Sequence, residues 1–363
     1  MNNWPDWLPL REDLKELTPY GAPQIENVIA LNTNENPFSL PQELVEKMAA
    51  KIAEVAVDLN RYPDRDANLV RAKLADYINS QSGSKFKVEN IWAANGSNEI
   101  LQTLALAFGQ NGALGFTPSY SMHPIIAKVC GVNWLNGKRN SDFTLNLESA
   151  TTEIAKVRPS LVFVTTPNNP TGSSISNDEL LQLAKACAKI GALLVVDEAY
   201  EEFSKQASSV NLISQNANVI VVRTMSKAFA LAGARVGYMI ADPKVIEAAL
   251  LIRLPYHLSS QTQALALVAL EHQGLLKKEV ELLRTERDRV SAELEKLGFQ
   301  VIPSDANFLL FSGFKSGPQV AWQEMLKAGI LIRDVGIDGY LRVTIGTPTE
   351  NNQFLAAIAN HRQ

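Results

Sequence analysis

Three short apolar runs in the middle of the chain limit its fold more than any other feature. They lie at residues 161–165, 193–196 and 219–222, and each is rich in valine, isoleucine or leucine. Runs of this length and β-branched content are typical of strands that are buried on both faces of a parallel sheet. The sequence therefore predicts three central strands rather than a helical bundle.

A helical pattern separates the first two of these runs. Ser176 and Glu179 have the spacing of a capping box, and apolar residues then recur at helical spacing as far as Gly191. A capping box marks the start of a helix, and a glycine commonly marks its end. Repeated strand, helix and strand predict an α/β fold with a three-layer αβα large domain.

Beyond Pro255 the pattern changes. Helices are predicted over 258–270 and 276–297, the charged residues of the second forming a solvated face. Strands at 308–311, 330–332 and 341–345 then flank a helix at 320–327. This mixture predicts a smaller α+β C-terminal domain over 254–363. It follows a large domain over 31–253 and an N-terminal arm over 1–30 that packs with the small domain.

Length, charge and composition restrict the class of protein. The chain has 363 residues, and domains of about 150 residues suggest two of them. Its net charge is −4 without a concentrated basic face, which argues against a nucleic-acid partner. No apolar run approaches the roughly 18 residues of a membrane span. Without a secretion pattern, and with only two distant cysteines, we expect a cytoplasmic protein. The four histidines lack ligand spacing, so no metal site is predicted.

Polar residues that could take part in binding or catalysis follow the three apolar runs. They are Asn169, Asp197 and Lys227. Ligands of open α/β sheets bind outside the carboxyl ends of the strands, so these side chains are expected at one edge. A lysine and a carboxylate together suit pyridoxal phosphate (PLP), which takes a lysine Schiff base and an acidic partner on its ring nitrogen.

Longer motifs carry a family resemblance. Residues 226–238 (SKAFALAGARVGY), 167–172 (PNNPTG) and 197–200 (DEAY) resemble, in order and spacing, the motifs of fold-type I PLP-dependent aminotransferases. Within that superfamily the chain is most similar to histidinol-phosphate aminotransferases. The segments that carry this closer resemblance are 17–20, 31–37, 60–63, 332–334 and 341–346. The resemblance implies a mostly parallel sheet, PLP as cofactor and transamination in histidine biosynthesis.

The resemblance also implies roles around the cofactor ring. Lys227 would hold PLP covalently and then move the proton between the substrate Cα and the cofactor. Asp197 would keep the pyridine nitrogen protonated. Tyr200, also counted as catalytic, and Asn169 would bind the ring hydroxyl, while Tyr120 would stack on the ring.

The cofactor phosphate needs several donors. The backbone N–H groups of Ser97 and Asn98, at the start of a predicted helix, would supply two of them. The side chains of Ser226 and Arg235 would add a hydroxyl and a guanidinium, and Thr224 is a weaker candidate. Arginine suits a phosphate because its fork of donors is bidentate.

Substrate roles follow from the same resemblance. Arg342 would bind the α-carboxylate of glutamate or 2-oxoglutarate. Together with Arg333 and Tyr20 it would bind the phosphate of histidinol phosphate. Arg342 would thus serve both substrates at one place.

Three further residues are expected near the substrate. Tyr62 resembles the family tyrosine that reaches the neighbouring subunit's site, which implies a homodimer. Tyr256 and Asn98 are further candidates for substrate contacts. The family often has aspartate where Asn98 stands, and this departure affects the expected contact on the imidazole side.

Two other activities fit the same motifs. An aminotransferase that prefers aromatic amino acids is one alternative, because an aromatic-lined site accepts imidazole and phenyl rings alike. A PLP-dependent phospho-amino-acid decarboxylase is another, because its motifs are closely similar. The choice depends on which bond at Cα stands perpendicular to the cofactor ring, and no motif fixes that orientation.

Overall fold

The computed structural model describes residues 4–361, which form strands and α-helices. The strands are β1 (Ile29–Ala30), β2 (Ile91–Ala94), β3 (Ala113–Thr117), β4 (Trp134–Lys138), β5 (Leu161–Thr165), β6 (Leu193–Asp197), β7 (Val219–Thr224), β8 (Gly237–Ile240), β9 (Gln300–Val301), β10 (Phe308–Ser312), β11 (Ile330–Leu331) and β12 (Tyr340–Thr344). The helices are α1 (Gln42–Ala56), α2 (Asn68–Ser82), α3 (Ser97–Phe108), α4 (Met122–Val129), α5 (Leu147–Val157), α6 (Asn177–Ile190), α7 (Pro243–Ile252), α8 (Ser260–Glu271), α9 (Gln273–Lys296), α10 (Pro318–Lys327) and α11 (Pro348–Ile358).

The central sheet has seven strands in the order β2-β8-β7-β6-β5-β3-β4. The pairs from β7 to β4 are parallel, and β8 runs antiparallel to both β2 and β7. The three predicted strands are β5, β6 and β7, which lie side by side. The prediction of a mostly parallel α/β sheet is confirmed.

Helices cover both faces of this sheet. Val162 and Val164 of β5 belong to the hydrophobic core that also contains residues of α5 and α6. The side chain of Phe163, between them, packs in a second core with residues of α3, α4 and α7. Because successive side chains of a strand alternate between the two faces, a continuously apolar strand needs two such layers. This arrangement confirms the predicted αβα sandwich.

The helix between β5 and β6 has the predicted ends. The Ser176 hydroxyl accepts from the backbone N–H of Glu179 at 3.3 Å, and the Glu179 carboxylate accepts from the backbone N–H of Ser176 at 2.8 Å. At the other end Gly191 adopts φ +75°, a left-handed conformation that favours glycine. These caps fix where β6 begins and therefore where Asp197 ends it.

A smaller sheet follows in the C-terminal part. Strand β10 pairs antiparallel with β9 and with β12, and Leu310 stands opposite Arg342 in this register. Strand β1 pairs parallel with β11, and the Leu31 carbonyl accepts from the N–H of Thr344 at 2.9 Å. The chain after β1 is thereby held against the C-terminal part. No helix within residues 4–361 combines the length and the apolar character needed to cross a membrane.

The N-terminal arm contacts both parts of the chain. Arg11 donates to the carbonyls of Val129 and Lys128 at the end of α4, at 2.9 and 3.1 Å, whereas β1 pairs with β11. The domain boundaries at residues 30 and 253 stay a prediction.

The expectation of a solvated charged face on the long helix α9 is wrong at two positions. Arg287 is 1% exposed and Glu286 7%. Arg287 donates to the carbonyls of Phe203 and Ala306 at 3.2 Å, and Glu286 accepts from the amide of Asn351 at 2.9 Å. These side chains satisfy polar groups of neighbouring segments, a role that the periodicity of one helix cannot reveal.

Candidate active site

A cavity of about 660 Å³ lies at the carboxyl ends of β5 and β6 and reaches the C-terminal part. Most of the residues proposed from the sequence line it: Tyr20, Ser97, Asn98, Tyr120, Asn169, Asp197, Tyr200, Thr224, Ser226, Lys227, Arg235, Arg333 and Arg342. Residues that are more than 300 positions apart in the chain therefore share one site.

Asp197 ends β6 and is buried at the floor of the cavity. Its Oδ2 lies 3.1 Å from Nε2 of His123, and its Oδ1 accepts from the backbone N–H of Ala199 at 3.2 Å. The His123 ring packs against Tyr120 and Phe163, with centroids 5.3 and 5.1 Å apart. These contacts orient the carboxylate. Sequence reasoning missed His123, because a single histidine without ligand spacing carries no signal of this role.

Lys227 lies three residues beyond the end of β7. Its Nζ donates to the carbonyl of Thr33 at 2.9 Å. Burial and, to a smaller extent, the positive charge of Arg342 lower the pKa of Lys227 to about 8. The nearby Glu35 opposes this shift. An amine with such a pKa is partly neutral near neutral pH and can act as a nucleophile or a proton carrier.

The Tyr200 hydroxyl is hydrogen-bonded to two side-chain amides. The hydroxyl oxygen accepts from Nδ2 of Asn34 at 2.9 Å and from Nδ2 of Asn169 at 3.3 Å. Burial raises the pKa of Tyr200, so the phenol keeps its proton and can donate it to a ligand. Asn34, which was not singled out from the sequence, is fixed by Thr344, whose hydroxyl accepts from the Asn34 backbone N–H at 3.0 Å.

A group of hydrogen-bond donors surrounds the start of α3. A Cβ added to Gly96 would lie 2.5 Å from Nη2 of Arg235, so this glycine allows the guanidinium to approach the first turn of the helix. Gly96 also adopts φ +84°. On the other side the hydroxyls of Thr224 and Ser226 are 2.9 Å apart. Helix N–H groups, hydroxyls and a guanidinium at one place suit a phosphate dianion.

Two arginines from neighbouring strand segments face the same cavity. Arg342 is buried, and it donates to Oδ1 of Asn169 at 2.6 Å and to the carbonyl of Asn32 at 2.7 Å. Its guanidinium lies 5.1 Å from the ring centroid of Phe308. The backbones of Arg333 and Arg342 form a β-bridge. In the part of the chain that the structure describes, the Arg333 side chain donates to no other residue, so its donors are available to a ligand.

Asn98 and two other predicted residues have different surroundings. The amide oxygen of Asn98 accepts from the hydroxyl of Tyr120 at 3.4 Å, so an uncharged side chain takes this place in the cavity. Tyr62 and Tyr256 do not line the cavity. Their rings stack on each other with centroids 4.3 Å apart, and Tyr62 is 79% exposed. Their proposed substrate contacts stay a prediction.

The cavity fits PLP by the chemistry of its donor set. It combines a buried amine of lowered pKa, a buried carboxylate held by a histidine, and a separate group of anion donors around Gly96. A family model for aminotransferase class I and II matches residues 26–358. The chain belongs to this aminotransferase family.

Individual relatives refine this membership. A histidinol-phosphate aminotransferase of Mycobacterium sp. (strain JLS) is 54% identical over 97% of this chain and 93% of that protein. The predicted resemblance to this group of aminotransferases is confirmed. Among solved structures, histidinol-phosphate aminotransferase from Clostridium acetobutylicum is 24% identical with a TM-score of 0.82, covering 92% of this chain and 98% of that one.

A second solved structure shares the fold. It is histidinol-phosphate aminotransferase from Sinorhizobium meliloti in complex with pyridoxal-5'-phosphate, 24% identical with a TM-score of 0.81. The match covers 92% of this chain and 90% of that one. At this identity the likeness concerns the fold of the aminotransferase and not the details of its site.

Proposed function

We propose that this aminotransferase uses PLP to transfer the amino group of histidinol phosphate to 2-oxoglutarate, which gives imidazole acetol phosphate and glutamate, and to catalyse the reverse reaction. The relatives at about half identity are named for this activity. The observation in the structure that carries the proposal is the bridge between Arg333 and Arg342. It brings two guanidinium groups to the cavity that also contains Lys227 and Asp197.

Different residues would bind the two ends of the cofactor, which are its phosphate and its ring. The N–H groups of Ser97 and Asn98, with Ser226, Arg235 and to a smaller extent Thr224, would bind the phosphate of PLP. When bound, PLP supplies an electron sink for the pair left at Cα.

At the ring end three side chains act on different atoms. Asp197, oriented by His123, would hold a proton on the ring nitrogen. The Tyr200 hydroxyl and the Asn169 amide, already 3.3 Å apart, would donate to the ring oxygen. Tyr120 would cover one face of the ring.

Lys227 would perform the proton transfer. Its amine is buried at the end of a short loop, and its lowered pKa leaves a neutral fraction that can accept a proton from the substrate Cα. The Thr33 carbonyl, 2.9 Å from Nζ, orients this amine while it is in the free form. The same nitrogen can then return the proton to the neighbouring carbon of the cofactor.

The arginines would recognise two substrates in turn. The Arg342 guanidinium is fixed by Asn169 and Asn32, so it is preorganised for a carboxylate or a phosphate. Arg333 and Tyr20 would complete the phosphate site for histidinol phosphate. Asn98 and Tyr256 remain candidates for the imidazole side.

A homodimer is part of the proposal. Arg253 joins the segment that follows α7 to the segment that precedes α2, because it pairs with Asp66 and donates to the carbonyl of Arg65 at 2.6 Å. They expose apolar side chains that include Tyr62, Leu254 and Val57. An exposed apolar patch of this kind marks an association surface, and a second copy would bring Tyr62 towards the neighbouring site.

The activity is tested with purified holoenzyme, histidinol phosphate and 2-oxoglutarate. We expect glutamate to form in step with consumption of histidinol phosphate, and no glutamate when Lys227 is replaced by alanine. Carbon dioxide released from a phospho-amino acid, without glutamate formation, would instead identify a decarboxylase. The cytoplasmic location stays a prediction.

A further inference from the structure

The segment that carries Tyr20 is weakly held by its own backbone and packing. Tyr20 lines the active-site cavity together with Arg333 and Arg342. Apart from Ala22, residues 18–27 are exposed, and Tyr20 itself is 51% exposed. Within residues 4–361, no backbone N–H of residues 18–28 donates a hydrogen bond. A segment with so few contacts does not by itself fix the direction of the Tyr20 side chain.

A side chain from outside the segment supplies the missing contact. Nδ2 of Asn32 donates to the carbonyl of Pro23 at 2.9 Å. In the part of the chain that the structure describes, this is the one hydrogen bond that residues 18–28 form. Asn32 is 3% exposed, so solvent does not compete freely for its amide. The exposed segment is thereby tied, close to Tyr20, to a buried residue.

Asn32 is itself fixed, and it also contacts Arg342. The carbonyl of Leu31, just before it, accepts from the N–H of Thr344 at 2.9 Å. The carbonyl of Asn32 accepts from Nη2 of Arg342 at 2.7 Å. Asn32 therefore positions Arg342 through its backbone and the segment that carries Tyr20 through its side chain.

The two groups that Asn32 holds act on the same region of the cavity. Burial lowers the pKa of Arg342, and the Tyr20 phenol is among the groups that oppose this shift, so the two side chains lie close enough to interact. A phenol O–H beside a guanidinium suits a phosphate, because each of its oxygens accepts hydrogen bonds and its charge strengthens them.

We propose that Asn32 is a positioning residue for recognition of the substrate phosphate. Its amide holds the Tyr20 hydroxyl where Arg333 and Arg342 bind that phosphate, and the inference rests on the proposed use of histidinol phosphate. Binding costs less entropy when the donors are in place before the ligand arrives. Loss of the amide frees the Tyr20 segment but leaves Arg342 in place, because the Asn32 carbonyl makes that contact. The effect is therefore specific to substrates that have a phosphate.

The experiment compares Asn32→Ala with the wild-type holoenzyme in the first half of the reaction. The donors are histidinol phosphate and histidinol, which lacks only the phosphate, and the change in visible absorption of the cofactor follows even a slow donor. We expect the dissociation constant of histidinol phosphate to rise about five- to fiftyfold, with the limiting rate within about twofold. For histidinol, the ratio of limiting rate to dissociation constant should stay within about twofold.

Three further variants separate positioning from a loss of stability. Tyr20→Phe should raise the dissociation constant of histidinol phosphate at least as much, and adding Asn32→Ala to it should have no further effect. Asn32→Leu removes the same donor without leaving a cavity, and it serves as the test if the alanine variant is unstable. Asn218→Ala, at the amino end of β7, is the matched control. Its amide also donates to backbone carbonyls, those of Ala184 and Ala192 at 2.9 and 3.3 Å, and its loss should leave both donors unaffected.

The possible failures are distinguishable. An unchanged dissociation constant of histidinol phosphate in Asn32→Ala and Asn32→Leu overturns the inference while the proposed function stands. Equal losses for histidinol phosphate and histidinol, or additive effects with Tyr20→Phe, overturn it as well, because Asn32 would then act on the site as a whole. If the wild-type enzyme does not react with histidinol phosphate, the proposed function fails, and this inference fails with it.

Discussion

The lowered pKa of Lys227 predicts how the cofactor-free enzyme takes up PLP at different pH. Burial and Arg342 lower this pKa from 10.5 to about 8. At pH 7 the neutral fraction of the amine is then about 0.1, roughly 300-fold more than for an unperturbed lysine. Because only the neutral amine attacks the aldehyde of PLP, the uptake rate should rise about tenfold per pH unit below pH 8 and level off above it.

The assay follows the visible absorption of the lysine-linked cofactor after PLP is added to cofactor-free enzyme. Nα-acetyl-lysine in solution is the control, and its rate should continue to rise to about pH 10 because its amine is unperturbed. Glu35→Gln removes the negative charge that raises the pKa of Lys227, so the rate should level off at a lower pH. A rate that rises in parallel with the control through pH 9 would refute the reasoning.

Four other perturbations have defined outcomes. Lys227→Ala should abolish both turnover and the visible absorption, while Lys244→Ala, a surface lysine beside Glu247, should change neither. Tyr200→Phe leaves the amides of Asn34 and Asn169 without their acceptor, so urea unfolding should show a loss of about 1–3 kcal/mol, and a loss below about 0.5 kcal/mol would contradict this. Arg333→Ala should raise KM for histidinol phosphate about ten- to a hundredfold, with little effect on KM for phenylalanine, and equal effects would argue against phosphate binding. Leu254→Asp should shift the sedimenting species from dimer to monomer without loss of helical circular dichroism, whereas an unchanged dimer would place the interface elsewhere.

The sequence predicted the centre of the sheet because β5, β6 and β7 are buried on both faces and are therefore continuously apolar. Strands β3 and β4 were not predicted. Each contains a glycine, Gly115 and Gly137 respectively, and β4 also has polar residues. A Cβ on Gly115 would lie 2.4 Å from the Trp134 ring, so this glycine serves close packing and weakens the pattern at the same time.

The candidate site could likewise be predicted only in part. Asn169, Asp197 and Lys227 could be placed together because they follow predicted strands, and parallel strand ends share one edge. The residues that orient these side chains could not be predicted, because those residues come from distant parts of the chain. His123 lies 74 residues from Asp197, and Thr33 lies 194 residues from Lys227. Such contacts depend on how β1 and α4 pack, and the spacing of residues along the sequence does not predict that packing.

Substrate preference tests the central claim most directly. The measurement is kcat/KM for histidinol phosphate, phenylalanine and tyrosine as amino donors to 2-oxoglutarate. Because Arg342 can also bind the carboxylate of an amino acid, loss of the phosphate removes mainly the charge-assisted bonds of Arg333, worth about 1.5–3 kcal/mol, so histidinol phosphate should exceed the aromatic donors by about ten- to a hundredfold. Equal or greater kcat/KM for phenylalanine would contradict the account and identify an aromatic aminotransferase.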